Sequence, residues 1–378
     1  MWATRLNNGR YMEISYTFLA ATLLFAMAFV NGGNDVSKPI ATLAGTKVAS
    51  LKTAVSWGTL WTVAGALAGL YWGEAIVKNI TQSIFIAPPD FSFPLALATV
   101  GAPILWVTLA TWRKWPVSTT HALIGGVVGS GILSFGTSGI AWDIIGSKIA
   151  LPLLISPLLA ILLTVLLTPL LKRIANSISR THICITPVPR LVYSSASKEM
   201  SPAVDDCITC DQDSIQSKLT AGISLNIDHL HWLTSGLLSF SRGLNDTPKL
   251  IAIVLPFMVL NHGEVPVWLY FLAAIAMGAG SLLAGRKITE LLGFNVTPLS
   301  HAEGFSANFV STVLVMGATP LGLPVSTTHV STSSIMGIGL NNGHGLNKRV
   351  VYTILFAWLV TVPATAFLGA LIYSVSTT

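Results

Sequence analysis

Pro116-Val117-Ser118-Thr119-Thr120-His121 returns as Pro324-Val325-Ser326-Thr327-Thr328-His329, roughly 210 residues later in an otherwise greasy chain. A second pair repeats at nearly the same offset: Asn34-Asp35-Val36-Ser37-Lys38 and Asn245-Asp246-Thr247-Pro248-Lys249. Two motifs kept in order at matching spacing argue for an internal duplication. Few folds tolerate this, because both copies place charge where an apolar segment would normally carry none.

The setting of those charges is a membrane. Hydrophobic residues make up 52% of the chain and charged residues only 10%, against about 25% charged in a soluble protein. The net charge of +6 comes from Lys and Arg beside apolar segments, which reads as membrane orientation. No basic arm or zinc-finger spacing supports a nucleic-acid partner. The run at about 14–30 continues into Asn31-Gly32-Gly33-Asn34-Asp35 without a small-residue cleavage pattern, so it reads as a first span and not a removed leader.

Apolar segments fall near 14–30, 36–50, 53–73, 94–112, 117–135 and 149–171, and again near 229–241, 247–261, 265–285, 303–319, 323–340 and 350–374. Both sets show a broken pair around Asn-Asp, two spans, a segment opening on Ser-Thr-Thr-His, and a closing span. The expected division is a first repeat at 1–173, a polar cytoplasmic linker at 174–226 and a second repeat at 227–378. Counting each broken pair as one crossing gives five crossings per repeat, an odd number that makes the repeats antiparallel. With the N-terminus outside, Lys47, Lys52, Arg113, Lys114, Lys172, Arg173, Arg286, Lys287, Lys348 and Arg349 edge the cytoplasm, and fewer basic residues edge the outside. The expected fold class is an all-α integral membrane protein with two inverted-topology repeats, broken helices and re-entrant segments.

An Asp at the centre of a membrane helix costs roughly 2.5–3.5 kcal/mol, so Asp35 and Asp246 each need a cation or a polar cavity. Gly32, Gly33 and Gly243 permit helix breaks and close backbone approach. A lone Asn-Asp is ordinarily a helix cap; two copies at equivalent places point to a site. Ser118, Thr119, Thr120 and Ser326, Thr327, Thr328 put hydroxyls and first-turn amides together, which suits a tetrahedral oxyanion. His121 and His329 read as structural residues near helix starts, with proton handling as the alternative. A Ser-His hydrolase lacks the Gly-x-Ser-x-Gly elbow, so no enzyme is expected. Cys207-x-x-Cys210 with Cys184 and His182 matches no trusted zinc spacing, and reads as reduced structural or incidental thiols with no metal, metal binding or redox regulation being the alternative.

Asn31-Gly32-Gly33-Asn34-Asp35-Val36, Gly243-Leu244-Asn245-Asp246 and the two Pro-Val-Ser-Thr-Thr-His segments resemble the inorganic phosphate transporter (PiT) family, including its sulfate-permease relatives. The resemblance covers both repeats and omits the central loop. It implies a secondary active symporter of inorganic phosphate in the cell membrane, coupled to H+ or Na+ and working by alternating access. It also implies extracellular termini, a cytoplasmic central loop, a homodimer and no cofactor beyond the coupling cation. Asn34, Ser118, Thr119, Thr120, Asn245, Ser326, Thr327 and Thr328 would bind substrate, and Asp35 and Asp246 would serve coupling. Sulfate transport by the same fold and a passive anion channel are the alternatives. The sequence departs from the family at Lys38 and Lys249, where a small or amide residue is usual, and at Arg242, where histidine is frequent. Two ammonium groups beside two carboxylates would stand in the place of coupling Na+, which points to proton coupling or weakened Na+ dependence; snorkelling of both lysines to an interface is the alternative.

Overall fold

Fourteen helices account for almost all of the described chain. The computed structural model describes residues 2–81, 92–180, 189–193, 200–204, 226–258 and 265–378. The first motif-bearing stretch holds α1 (Trp2–Asp35), α2 (Ser37–Gly45), α3 (Leu51–Trp72), α4 (Glu74–Thr81), α5 (Phe93–Trp112), α6 (Thr119–Phe135), the short α7 (Trp142–Ile144) and α8 (Leu151–Arg180). The second holds α9 (Ile227–Val254), α10 (Val267–Ala284), α11 (Arg286–Phe294), α12 (His301–Ala318), α13 (Thr327–Asn341) and α14 (Lys348–Thr377). In the linker, α8 runs on to Arg180, and strands β1 (Pro189–Tyr193) and β2 (Met200–Val204) pair antiparallel, a small exception to the all-α expectation. Cys184, Cys207, Cys210 and His182 lie outside the described residues.

A helix start leaves four backbone N–H groups without intrahelical acceptors, which is costly away from water. Here a polar side chain precedes one helix after another. Ser50, Ser92, Ser118, Ser326 and Asn347 accept from the amide three residues on. Asn226 with His229, and Ser300 with Glu303, form reciprocal capping boxes.

Helices pack through small residues. A Cβ at Gly32 would lie 2.1 Å from the Met277 carbonyl oxygen, and one at Gly243 would lie 2.2 Å from that of Thr62. Gly65 meets the Phe240 backbone and Gly280 meets the Phe29 backbone in the same way. These contacts are reciprocal. α3 packs on α9, whereas α10 packs on α1; α5 and α6 share contacts with α14, while α12 and α13 share theirs with α8. Each stretch thus lends its post-motif helix to the other's motif helix. Outside, Leu154, Leu158, Leu162, Leu166 and Leu170 form a four-residue stripe along α8, each more than half exposed, as a lipid-facing surface requires.

One expectation is corrected. The Asn-Asp motifs do not break their helices: α9 runs without interruption through Asn245-Asp246, and α1 passes to α2 across Val36, which keeps helical torsions and a 3.2 Å bond to the Gly32 carbonyl. The glycines beside the motifs serve close packing instead. The breaks lie just before the Ser-Thr-Thr segments, between α5 and α6 and between α12 and α13. Among the described residues, five helical stretches are long and apolar enough to span, or six if α3 and α4, bent by 74°, count as one. α9 is long enough but carries Arg242, Asp246 and Lys249, and α6 and α13 are short. Charge turned inward lowers the hydropathy that reveals a span.

Candidate functional site

Five charged side chains meet in the interior. Asp35, Lys38, Arg242, Asp246 and Lys249 are each no more than 2% exposed, far from the solvation that a lone ion needs. They come from the junction of α1 with α2 and from the middle of α9, where turn spacing places Lys38 three residues after Asp35 and Lys249 three after Asp246. Three cations against two carboxylates leave one unit of formal positive charge.

Each charge has named partners. Lys38 Nζ donates to the Asn34 carbonyl at 2.7 Å, to Asn34 Oδ1 at 2.6 Å and to Asp35 Oδ1. Lys249 Nζ donates to Asp246 Oδ1 at 3.1 Å, to the Val325 carbonyl at 2.7 Å and to Thr120 Oγ1 at 3.3 Å. Asp35 Oδ2 accepts from Thr119 at 3.0 Å and from Asn31 Nδ2 at 2.8 Å, while Oδ1 faces Thr328 Oγ1 at 3.4 Å. Arg242 reaches across the stretches, with Nη1 on Thr62 Oγ1 at 3.2 Å, Nη2 on Asn31 Oδ1 at 3.1 Å, and Nε 3.6 Å from Asp246 Oδ2. Asn31 Nδ2 lies 3.4 Å from Asp246 Oδ2, tying the two carboxylates together.

The motif copies repeat down to individual hydrogen bonds. Asn34 Nδ2 donates to Thr111 Oγ1 at 3.0 Å, and Asn245 Nδ2 donates to Thr319 Oγ1 at 3.0 Å. Thr328 Oγ1 donates to the Val117 carbonyl at 3.0 Å, while the equivalent Val325 carbonyl takes Lys249. Ser118 and Ser326 are buried, but their Oγ atoms cap α6 and α13 at 3.2 Å from the amides of His121 and His329. Thr327 is buried in the first turn of α13. The His121 and His329 rings lie 4.5 Å apart, and His329 stacks on Trp358 at 3.9 Å. The N-termini of α6 and α13, positive ends of their helix dipoles, therefore converge beside the charged cluster.

All twelve residues singled out from the sequence are buried. Asn34, Asp35, Lys38, Thr119, Thr120, Asp246, Lys249 and Thr328 join one network, whereas Asn245 bonds Thr319 apart from it and Ser118 and Ser326 cap their helices. Sequence reasoning left out Asn31, Thr62, Thr111 and Thr319, and gave Arg242 no role. A signal existed for two of them: a Thr stands seven residues before the motif Ser in both copies, Thr111 before Ser118 and Thr319 before Ser326. Chemically, the cluster joins positive charge, hydroxyls and helix-start amides, the donor set that a tetrahedral oxyanion needs.

A multi-pass membrane protein with duplicated polar motifs gathered in its interior belongs to the class of membrane transporters. Residues 31–369 match the phosphate transporter family, and the chain belongs to that family. It is 26% identical over 363 residues to a "probable low-affinity inorganic phosphate transporter" of Bacillus subtilis, covering 94% of this chain and 96% of the relative. It is 25% identical over 419 residues to the chloroplastic inorganic phosphate transporter 2-1 of Arabidopsis thaliana, covering 94% and 71%. A solved structure described as the sodium-dependent phosphate transporter superposes with a TM-score of 0.77 at 25% identity, covering 96% of this chain and 99% of the other. The family and these relatives are transporters, not enzymes.

Proposed function

We propose that this chain is a secondary active symporter that moves inorganic phosphate across the cell membrane with H+ or Na+. The observation that carries the proposal is the buried cluster itself: three cations, two carboxylates and two helix N-termini contributed by both motif copies. A net positive, desolvated cluster attracts an anion, and paired carboxylates suit a co-transported cation. A passive anion pore gains nothing from Asp35 and Asp246. In the proposed cycle Thr119, Thr120, Thr327, Thr328, Asn34 and Asn245 contact substrate, Ser118 and Ser326 hold the helix starts, and Asp35 and Asp246 answer to the cations.

Because the cluster is closed, substrate reaches it by alternating access. The reciprocal packing of α3 on α9 and α10 on α1 supports two inverted repeats, divided at 1–173 and 227–378 by the 174–226 linker. The basic edges favour extracellular termini with the linker in the cytoplasm, and the functional unit is proposed to be a homodimer. Labelled phosphate uptake by purified protein in liposomes tests the reading. Accumulation above the external level that collapses with an ionophore is expected; simple equilibration would identify a channel. Competition by sulfate reports on the second oxyanion.

A further inference from the structure

We infer that Lys38 and Lys249 are tethered replacements for free coupling cations, so that phosphate transport by this chain requires no Na+. The inference rests on the symporter reading and decides between its two coupling ions.

A lysine ammonium has three N–H donors, and each of these has three oxygen partners. Around Lys38 they are the Asn34 carbonyl, the Asn34 side-chain amide oxygen and the Asp35 carboxylate. Around Lys249 they are the Asp246 carboxylate, the Val325 carbonyl and the Thr120 hydroxyl. Carboxylate, backbone carbonyl and neutral side-chain oxygen are the hard donors with which membrane carriers hold monovalent metal cations. The lysines therefore do not snorkel to an interface. Both lie fully inside and use the oxygens that a loose cation would need. A second positive charge in either cage would face an ammonium at contact distance, with Arg242 close by and without water to screen it.

The two cages differ in what they join. All three oxygens around Lys38 belong to residues 34–35 of one helix, so that cage moves as a unit. Lys249 gathers oxygen from α9, from the segment before α13 and from Thr120 of α6, so its cage spans both motif copies. Removing Lys38 leaves Asp35 without its ion pair, and removing Lys249 leaves Asp246 only the 3.6 Å contact of Arg242 Nε. The oxygen donors stay in place in both, which makes each a site for Na+.

Purified full-length protein in liposomes would take up labelled phosphate under one fixed pH gradient, with internal and external Na+ replaced by N-methyl-D-glucamine. Binding of radioactive Na+ to the detergent-solubilised protein is measured in parallel, on wild type, Lys38→Ala and Lys249→Ala. Wild-type uptake is expected to change less than about twofold without Na+, with no saturable Na+ binding. In the alanine variants saturable Na+ binding is expected to appear, with Na+ raising uptake or thermal stability; a tenfold gain in occupancy corresponds to about 1.4 kcal/mol. Strict Na+ dependence of the wild type, saturable Na+ binding to it, or folded variants indifferent to Na+ would overturn the inference. If a variant does not fold, the two wild-type measurements decide alone. Absence of uptake in every buffer sinks the symporter reading instead, and the Na+ binding data still judge the lysines.

Discussion

Asn31 and Arg242 occupy equivalent positions of the two motif copies, each three residues before the motif Asn, and they hydrogen-bond to one another at 3.1 Å. Equivalent residues in a two-fold arrangement meet only near its axis. His121 and His329, another equivalent pair, also touch. On the inverted-repeat reading proposed above, the axis relating the copies passes through the charged cluster, and strict symmetry is lost at Asn31 and Arg242, where one copy supplies an amide and the other a guanidinium.

Arg242 is the third cation, held by Thr62, Asn31 and Asp246, and we propose it as the partner for phosphate. Arg242→Gln is expected to raise the KM for phosphate by on the order of 10- to 100-fold, the effect of losing a charge-assisted hydrogen bond worth about 1.5–3 kcal/mol. Concentration-dependent uptake measures this. An unchanged KM would remove Arg242 from the binding step.

Thr111 and Thr319 are predicted to hold the motif asparagines. Thr319→Val leaves the Asn245 amide without its acceptor in a buried place where Asn245 Oδ1 also has no partner. Thermal unfolding in detergent should show a loss of about 1–3 kcal/mol, largely restored by Thr319→Ser. Thr111→Val should cost less, since Asn34 Nδ2 also reaches the Trp115 carbonyl at 3.3 Å.

Close packing at the motif glycines predicts that even a methyl group is too much. Gly32→Ala and Gly243→Ala would each push a Cβ into backbone atoms and lower stability by about 1–3 kcal/mol. Gly317→Ala, with nothing within 4 Å, is the control expected to keep or raise the melting temperature. Monodispersity and melting temperature of the three proteins check this.

Ser326 has two duties, capping α13 and bonding His329 Nδ1 at 2.6 Å, whereas the hydrogen bond described for Ser118 Oγ is the cap of α6. Ser118→Ala should cost about 1 kcal/mol, and Ser326→Ala more. Equal losses would show that the histidine contact carries no stability.

Much of this was legible because duplication makes weak signals count twice. One Asn-Asp is a cap; two at a common offset, each followed by a lysine, mark a site that no periodicity shows. The helix breaks were misplaced because glycine beside Asp reads equally as flexibility or as close approach, and only the neighbouring helix, Met277 for Gly32 and Thr62 for Gly243, decides which. Arg242 was ambiguous for a similar reason: its partners Asn31 and Thr62 lie about 180–210 residues away in the chain and no local pattern points to them.

The swapped embrace of α3 around α9 and α10 around α1 bears on ancestry. A lone copy would have presented its glycine-lined first helix to lipid with no backbone to fit against. On the duplication argued from the repeated motifs, we propose that a single-copy ancestor filled that place with a second molecule of itself, and that the two copies, once joined, were free to diverge where asparagine meets arginine.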